Sequence, residues 1–355
     1  MFIHAPPPMR VEQVQAYVDE VAETQVTTLF VCPQIGMVTN YPSKVGDMLG
    51  TNVSPAEAQQ VKKRATAPRA FRERAAANLR GLLNGGQDPL QLIIDRAQDK
   101  GLEVFITFRL NEVHAVDRPN EFPRSLLISS FWREHPEWHI GTPGDEVAPV
   151  YVRILGPRAN PVLLSWLPGA LNFAIAEVRE HRLEQLREVC ERYAVDGLDL
   201  DFLRFPVYFP PGTEKQNIET MTAWMREVRE MTRQVGEARD RPLLVSARIL
   251  ARPELNLAIG LDPTAWVQEG LVDFVTISHY FRNDFPLPVA DYREILPGVP
   301  IYGSIEVEDS VDRYRAVAQD LWSQGADGIM LFNFFTPREN GRQPPFELLE
   351  ELGEP

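Results

Sequence analysis

Strand-like and helix-like segments alternate through the carboxyl-terminal half of the chain, and this alternation limits the possible folds most. Apolar, strand-like runs occupy residues 195–205, 242–250, 272–281, 299–307 and 326–335. Helix-like patterns follow them near 215–236, 262–270, 291–296, 310–325 and 345–352. Because each helix must return the chain to the same end of the sheet, five successive strand–helix units predict a parallel sheet covered by helices.

Three further strands in the amino-terminal half bring the count to eight. Residues 102–110 and 26–34 each follow a helix-like segment, and residues 1–5 supply a short first strand. Eight parallel strands close a (β/α)8 TIM barrel, which often uses this much chain as one unit. We therefore expect an α/β protein with residues 1–355 in a single barrel domain. An open doubly wound sheet is the alternative, but no glycine-rich phosphate loop follows an early strand.

Two long insertions interrupt the alternation. Residues 35–88 follow the second predicted strand and are partly helical and basic, which is typical of a solvated helix face. Residues 111–172 follow the third strand and are rich in Pro, Trp and His. In a barrel, both insertions lie over the face formed by the carboxyl ends of the strands, where active sites are built.

The charge balance and the cysteines narrow the classes of function. The 36 Lys and Arg residues stand against 50 Asp and Glu, and the net charge of -14 repels a phosphate backbone, so we expect no nucleic-acid partner. Cys32 and Cys190 lie in apolar patterns typical of buried thiols. With no membrane-spanning run and no signal-peptide pattern, we expect a cytoplasmic protein as the chain stands, or an exported one if a signal peptide was removed.

The run 195–205 carries acids that a buried strand would not ordinarily accept. Strand residues alternate between two faces, so Asp199 and Asp201 share one face while leucines occupy the other. The apolar face must contact the helices, which directs both aspartates into the barrel near its mouth. Since an unpaired buried carboxylate is costly, we expect either an ion pair with Arg204 or another arginine, or a catalytic or substrate-binding role.

The same alternation places a second acid at the mouth. Within residues 299–307, Glu306 lies on the face opposite the isoleucines and points inward from the seventh predicted strand. Other polar residues near strand ends are expected to bind substrate or to pair with the acids: Arg109, Asn111, Arg248, His279, Tyr280 and Asn333. The pattern leaves open which of His279 and Tyr280 faces inward.

Two carboxylates on opposite sides of a barrel mouth are the arrangement that glycoside hydrolysis uses. One donates a proton to the leaving oxygen, and the other acts as nucleophile or activates water. Loop tryptophans such as Trp132 and Trp166 supply surfaces on which sugar rings stack. We therefore predict a glycoside hydrolase acting on an oligosaccharide or polysaccharide.

Asp201 and Glu306 are the predicted principal acids, supported by Asp199 and Arg204. We expect no cofactor, and no metal because the histidines of the second insertion lack a metal-ligand spacing. The sugar, its linkage and the oligomeric state are left open at this point.

The stretch "YAVDGLDLDFLRFP" also resembles a known family. It is similar to the strand-four signature of the glycosyl-hydrolase-like family 10 group, at Asp196, Gly197, Asp201, Arg204 and Pro206. The segment "FWREHPEW" resembles one that precedes this signature in uncharacterised bacterial barrel proteins. The resemblance implies a TIM barrel that acts on an oligosaccharide or polysaccharide.

Two related signatures fit less well. The chitinase-like pattern D-x-x-D-x-D-x-E places its acid where this chain has Leu203. The α-amylase-type pattern matches its nucleophile to Asp201 but has arginine in place of Asp199. That comparison makes Asp201 the nucleophile, whereas many retaining barrels carry the nucleophile on strand seven, which would make it Glu306.

Two other functions use the same residues. A metal-dependent barrel hydrolase, lyase or isomerase would employ Asp199, Asp201 and His279 as ligands or bases. A non-catalytic barrel would bind a carbohydrate without cleaving it.

Overall fold

Seven parallel strands form one curled sheet in a computed structural model that describes residues 1–51, 53–284, 286–308 and 310–354. A separate antiparallel hairpin joins β2 (Gln34–Ile35) to β3 (Val38–Thr39). The strands of the large sheet, in their spatial order, are β1 (Thr28–Val31), β4 (Glu103–Arg109), β5 (Gly197–Asp201), β6 (Leu244–Leu250), β7 (Phe274–Ser278), β8 (Ile301–Ile305) and β9 (Gly328–Leu331).

Helices separate the parallel strands along the chain. The α-helices of the described residues are α1 (Val11–Asp19), α2 (Pro55–Arg64), α3 (Phe71–Asn84), α4 (Pro89–Asp99), α5 (Ser130–Glu134), α6 (Pro149–Leu155), α7 (Pro161–Trp166), α8 (Ala176–Arg192), α9 (Ile218–Ala238), α10 (Pro253–Ala258), α11 (Pro263–Gln268), α12 (Val289–Ile295) and α13 (Val311–Ser323). Short 3-10 turns occupy Arg124–Leu127, Pro136–Trp138, Gly156–Arg158, Leu167–Gly169, Lys215–Asn217, Thr336–Asn340 and Phe346–Glu350. Within the described parts of the chain, none of the helices is both long and apolar enough to cross a bilayer.

Local sequence explains where several helices begin. Ser54 accepts a hydrogen bond from the backbone N–H of Glu57, whose side chain in turn accepts from the backbone of Ser54. Asp88 caps α4 in a similar way, by accepting from Leu90 N at 3.0 Å. Proline occupies the first helical position after each of these caps, where its missing N–H has no partner to lose.

Aromatic rings fill the amino-terminal end of the barrel. Phe105 lies between Phe30 and Phe274, with ring centroids 5.3 and 5.6 Å away, and Phe274 stacks on Tyr302 at 4.8 Å. Gly197 makes room for this layer, because a Cβ there would lie 2.1 Å from the Phe105 ring. The barrel interior is therefore a packed core at this end, as TIM barrels require.

Polar layers lie above the aromatic one, towards the carboxyl ends of the strands. The strand register sets Asp199 between Thr107 and Ser246, and two residues further on it sets Asp201 between Arg109 and Arg248. Leu198 and Leu200, on the opposite face of β5, are fully buried in the surrounding hydrophobic core. The predicted alternation of β5 is thus confirmed, with its acids directed into the barrel.

The α/β TIM-barrel fold is confirmed, but the prediction of a strand at residues 1–5 was wrong. These residues form turns because their carbonyl groups bond to α3 instead of a strand: Asn78 Nδ2 donates to the carbonyls of Phe2 and Ala5, both at 2.8 Å. The chain between α1 and β1 contacts the carboxyl-terminal segment, where Gln25 N donates to Leu349 O at 2.9 Å. The last predicted helix, near 345–352, is the 3-10 turn Phe346–Glu350.

Candidate active site

Arg248 joins the two acids predicted at the barrel mouth. Its Nη1 donates to Asp201 Oδ1 at 3.2 Å, and its Nη2 contacts Glu306 Oε1. Asp201 ends β5, Arg248 lies beside it on β6, and Glu306 follows directly after β8. Asp201 therefore has an arginine partner, Arg248, whose guanidinium also binds Glu306.

Backbone and hydroxyl donors complete this group, which is almost fully buried. Asp201 Oδ1 also accepts from the N–H groups of Leu203 and Arg204, at 3.0 and 3.1 Å. Ser278 Oγ lies 2.8 Å from Glu306 Oε1. The exposed fractions of Asp201, Arg248 and Glu306 are 1%, 2% and 3%. Burial raises the pKa of Glu306 above its usual range, although Arg248 and the Ser278 hydrogen bond oppose the shift.

Asp199 lies one layer deeper, between two hydroxyl donors. Thr107 Oγ1 donates to its Oδ2 at 2.6 Å, and Ser246 Oγ donates to its Oδ1 at 2.7 Å. Its side chain is inaccessible to solvent. Burial raises the pKa of Asp199 to about 6, because two hydroxyl groups compensate only part of the lost hydration.

A second polar group, which the sequence analysis missed, lies on the other side of Asp201. Glu112 Oε1 contacts His114 Nδ1, and Arg204 Nη2 donates to His114 Nε2 at 2.9 Å. Arg109 Nη1 lies 3.5 Å from Glu112 Oε2. Burial opposes the charge of Glu112, but His114, Arg204 and Arg109 together hold the pKa of this carboxyl well below its usual range.

Burial lowers the pKa of His114, so the ring is neutral at pH 7. A neutral ring that donates from Nδ1 to Glu112 can accept from Arg204 at Nε2. The polar run "NEVH" directly after β4 was the signal that could have identified this group.

The side chains of two predicted substrate-binding residues form hydrogen bonds that connect loops. Asn111 Nδ2 donates to the carbonyls of Leu171 and Val207, at 2.8 and 2.6 Å, and its Oδ1 accepts from Leu171 N at 2.9 Å. Trp132 donates from Nε1 to Gly169 O at 2.7 Å and is 6% exposed. Both side chains therefore hold the insertion together, and neither presents a free polar group to a ligand.

The remaining predicted residues lie around the mouth. Tyr280 is buried and meets the ring of Phe281 edge-on, and burial lowers the pKa of the neighbouring His279 to about 4, which keeps that ring neutral. Trp166 is half-buried, with its ring centroid 6.0 Å from that of His114. The carbonyl of Asn333 accepts from Thr336 N at 2.9 Å.

Three residues at the mouth have backbone angles that side chains other than glycine rarely adopt. Phe205, Phe281 and Asn333 have φ values of 57°, 49° and 57°, and they follow β5, β7 and β9. Such strain of about 1–3 kcal/mol per residue persists where surrounding contacts enforce it, and it is concentrated at functional sites.

Among the described residues, no three His, Cys, Asp or Glu side chains are grouped so that they could hold a metal ion. A cavity of about 150 Å³ lies beside the mouth, between the second insertion and the segment after β5, where Tyr151, Leu167, Val207 and Phe209 line it. A second cavity, of about 380 Å³, lies between the end of α8 and the start of β6.

No protein-family model and no curated protein matches this chain. Solved structures do match it. The α-L-fucosidase isoenzyme 2 of Paenibacillus thiaminolyticus aligns with a TM-score of 0.51 and 14% identity, over 98% of this chain and 46% of the fucosidase. The endo-β-1,4-mannanase of Thermotoga petrophila aligns with a TM-score of 0.52 and 13% identity, over 99% of this chain and 74% of the mannanase.

The chain has the TIM-barrel fold. At these identities the similarity shows the fold alone. The chain spans less than half the length of the fucosidase.

Proposed function

We propose that this protein is a glycoside hydrolase in which Asp201 and Glu306 act on opposite sides of the scissile bond. The observation that carries the proposal is the sharing of Arg248 between these two carboxylates at the carboxyl end of the barrel. Glycosidic cleavage uses a pair of carboxylic acids in this position. The similarity to a fucosidase and a mannanase supports the same class of reaction.

Charge balance assigns the roles within the pair. Asp199, Asp201 and Glu306 point into the barrel, and Arg248 is the cation bonded to Asp201 and Glu306. Three buried carboxylates beside one guanidinium favour the uptake of a proton. Burial raises the pKa of Glu306, which is the direction that a general acid needs, and we assign it that role.

Asp201 is the nucleophile in this proposal. Three N–H groups donate to its Oδ1 and stabilise its negative charge, and no described residue bonds to its Oδ2. That oxygen is available to attack an anomeric carbon. Carboxylates that share one guanidinium lie close together, which favours the separation of about 5–5.5 Å found in retaining enzymes over the larger one of inverting enzymes.

The remaining residues support these two. Asp199 accepts hydrogen bonds from Thr107 and Ser246, one layer deeper in the barrel than the reacting carboxylates. In this proposal it helps to position those carboxylates and does not contact substrate. The residues proposed to line the sugar site are Arg109, Arg204, His279, Tyr280, Asn333 and Trp166. We further propose that residues 35–88 and 111–172 overhang this site and that the chain is related to the glycosyl-hydrolase-like family 10 group.

Hydrolysis of a glycan panel tests the proposal. Newly formed reducing ends are measured for the wild type, Asp201→Asn, Glu306→Gln and the exposed control Glu347→Gln. We expect wild type and control to cleave the same glycan, and each active-site amide to lose about 10³-fold or more in rate. Full activity in both amide variants would contradict the assignment.

A carbohydrate-binding barrel without catalysis is the second candidate, and the burial of the acids favours it. Asp201 and Glu306 are at least 97% covered and already paired with Arg248, as in a structural ion pair. Glycan binding without turnover, unchanged in Asp201→Asn, would establish this alternative.

A further inference from the structure

The guanidinium of Arg204 has no directly bonded carboxylate among the described residues. No carboxylate of the described residues lies within 4 Å of it, and its Nη2 donates to the neutral ring of His114. Its Nε is buried and has no hydrogen-bond partner there. Phe205 and Phe281 cover its faces, with centroids 5.0 and 4.7 Å from the guanidinium carbon.

Neither carboxylate near Arg204 bonds to its guanidinium. Glu112 is bound to His114 and lies 3.5 Å from Arg109. Asp201 Oδ1 accepts from the backbone N–H of Arg204 and from Arg248. Burial and the nearby Arg109 lower the pKa of Arg204, although Glu112 and Asp201 oppose part of the shift. Removing a cation from water without a bonded carboxylate is expensive, and a ligand that supplies one would offset this cost.

A second unused donor lies close by. Trp166 Nε1 is buried without a hydrogen-bond partner among the described residues, and the Trp166 ring lies 6.0 Å from that of His114. Buried polar groups in folded proteins are nearly always paired, so two unpaired donors around one histidine indicate a group that only accepts hydrogen bonds.

Arg204 lies close to the proposed site of bond cleavage. Its backbone N–H donates to Asp201 Oδ1 at 3.1 Å, so Arg204 lies beside the residue that the proposed function makes the nucleophile. The side chain is half-buried and retains access to solvent. A ligand bound here would be the sugar at the cleavage point or its neighbour.

We propose that Arg204 binds the carboxylate of a uronic-acid-type sugar beside the scissile bond, so that the substrate is an acidic glycan. The planar guanidinium matches a carboxylate in shape and charge. Phe281 and Phe205 provide apolar surface for the ring that carries this group. This inference rests on the proposed function for its link to catalysis, but the binding itself is tested separately.

The first experiment compares polyuronates with the same polysaccharides after their carboxyl groups have been reduced to alcohols. We expect the wild type to cleave one acidic form with a kcat/KM about tenfold or more above that of its reduced form, as for a lost charge-assisted hydrogen bond. Arg204→Gln should abolish this preference and Arg204→Lys should keep part of it. Arg233→Gln, on the 52% exposed side chain of α9, is the matched control. Equal cleavage of the two forms, or an unchanged preference in Arg204→Gln, would overturn the inference and leave the proposed function standing.

The second experiment measures binding without hydrolysis. Tryptophan fluorescence is followed during titration with D-glucuronate, its methyl ester, D-glucose and sodium sulfate. We expect a response to glucuronate that Arg204→Gln and added salt remove, and at least tenfold weaker responses to the ester and to glucose. Equal binding of the ester, or binding of sulfate alone, would overturn the carboxylate assignment. Glucuronate binding through Arg204 in a protein that cleaves no glycan would support this site and contradict the proposed function.

Discussion

The guanidinium carbon of Arg248 lies over the ring of Phe332, 3.6 Å from its centroid. Phe332 follows β9 and is 7% exposed, so the ring covers the cation that binds both acids. This cover removes water from the group and strengthens every charge interaction within it. The raised pKa of Glu306 therefore depends in part on an aromatic ring from another strand.

Removal of the Phe332 ring should lower the pKa of Glu306. In Phe332→Ala, water reaches the carboxyl group, the pKa falls towards its usual range, and the basic limb of the kcat/KM pH profile moves to lower pH because the acid loses its proton earlier. A loss of about 3–5 kcal/mol in stability should accompany the change. Phe334→Ala removes another buried ring, 6% exposed, and is the control. An equal shift in both variants, or none in Phe332→Ala, would refute this account.

Removal of Arg248 should destabilise the protein in a pH-dependent way. Arg248→Met leaves the carboxylates of Asp201 and Glu306 buried without their cation, which costs about 3–5 kcal/mol at pH 8. Burial raises the pKa of Glu306, so this carboxyl takes up a proton more readily at pH 5 and the loss should be smaller there. Denaturant unfolding at both pH values measures the difference, and Arg233→Met should change stability by about 0.5 kcal/mol or less. A loss that is the same at both pH values would show that the acids do not depend on Arg248.

Asp199 should make the protein less stable as the pH rises from about 4 to 6. Its pKa is raised to about 6 in the folded protein, compared with about 3.9 in an unfolded chain, so the folded state binds the extra proton between these values. Stability from this group is complete below pH 4 and falls by about 3 kcal/mol above pH 6. Asp199→Asn, which does not titrate, should therefore gain stability relative to wild type across this window. The exposed Asp99→Asn is the control, and a constant difference for Asp199→Asn would contradict the assignment.

Asn111→Ala should affect folding but not substrate choice. The substitution leaves the N–H and C=O of Leu171 and the carbonyl of Val207 without their partner, at about 1–3 kcal/mol for each unsatisfied group. Unfolding in denaturant should show the loss, and the ratio of rates on two glycans should stay the same. An altered ratio of rates with unchanged stability would contradict this account and show that Asn111 contacts the sugar.

Strand alternation predicted the directions of side chains well wherever the strand continues. Asp199, Asp201 and Arg248 lie within β5 and β6, and their inward orientation follows from the period of two. Asn111 was also expected at the mouth as a polar residue near a strand end, but β4 ends at Arg109. Asn111 is therefore in a loop, where backbone partners decide its direction.

The residues missed by the sequence analysis lie beyond strand ends. Glu112 and His114 come together through turns after β4, and Phe281 and Phe332 meet Arg204 and Arg248 from different loops. No periodic pattern encodes such contacts. The missing first strand has a similar cause, since distant side chains of α3 bind this segment: Asn78 donates to the carbonyls of Phe2 and Ala5, and Arg74 to that of Ile3.

The most direct test of the central claim is the configuration of the azide products formed by two variants. Sodium azide is added to Asp201→Ala and Glu306→Ala with an activated aryl glycoside of the sugar that the wild type cleaves, and NMR identifies the glycosyl azide. We predict an azide of opposite anomeric configuration to the substrate from Asp201→Ala, because azide replaces the nucleophile, and one of the same configuration from Glu306→Ala, because the intermediate on Asp201 still forms. The reverse assignment of the two configurations, or wild-type hydrolysis by either variant, would contradict it.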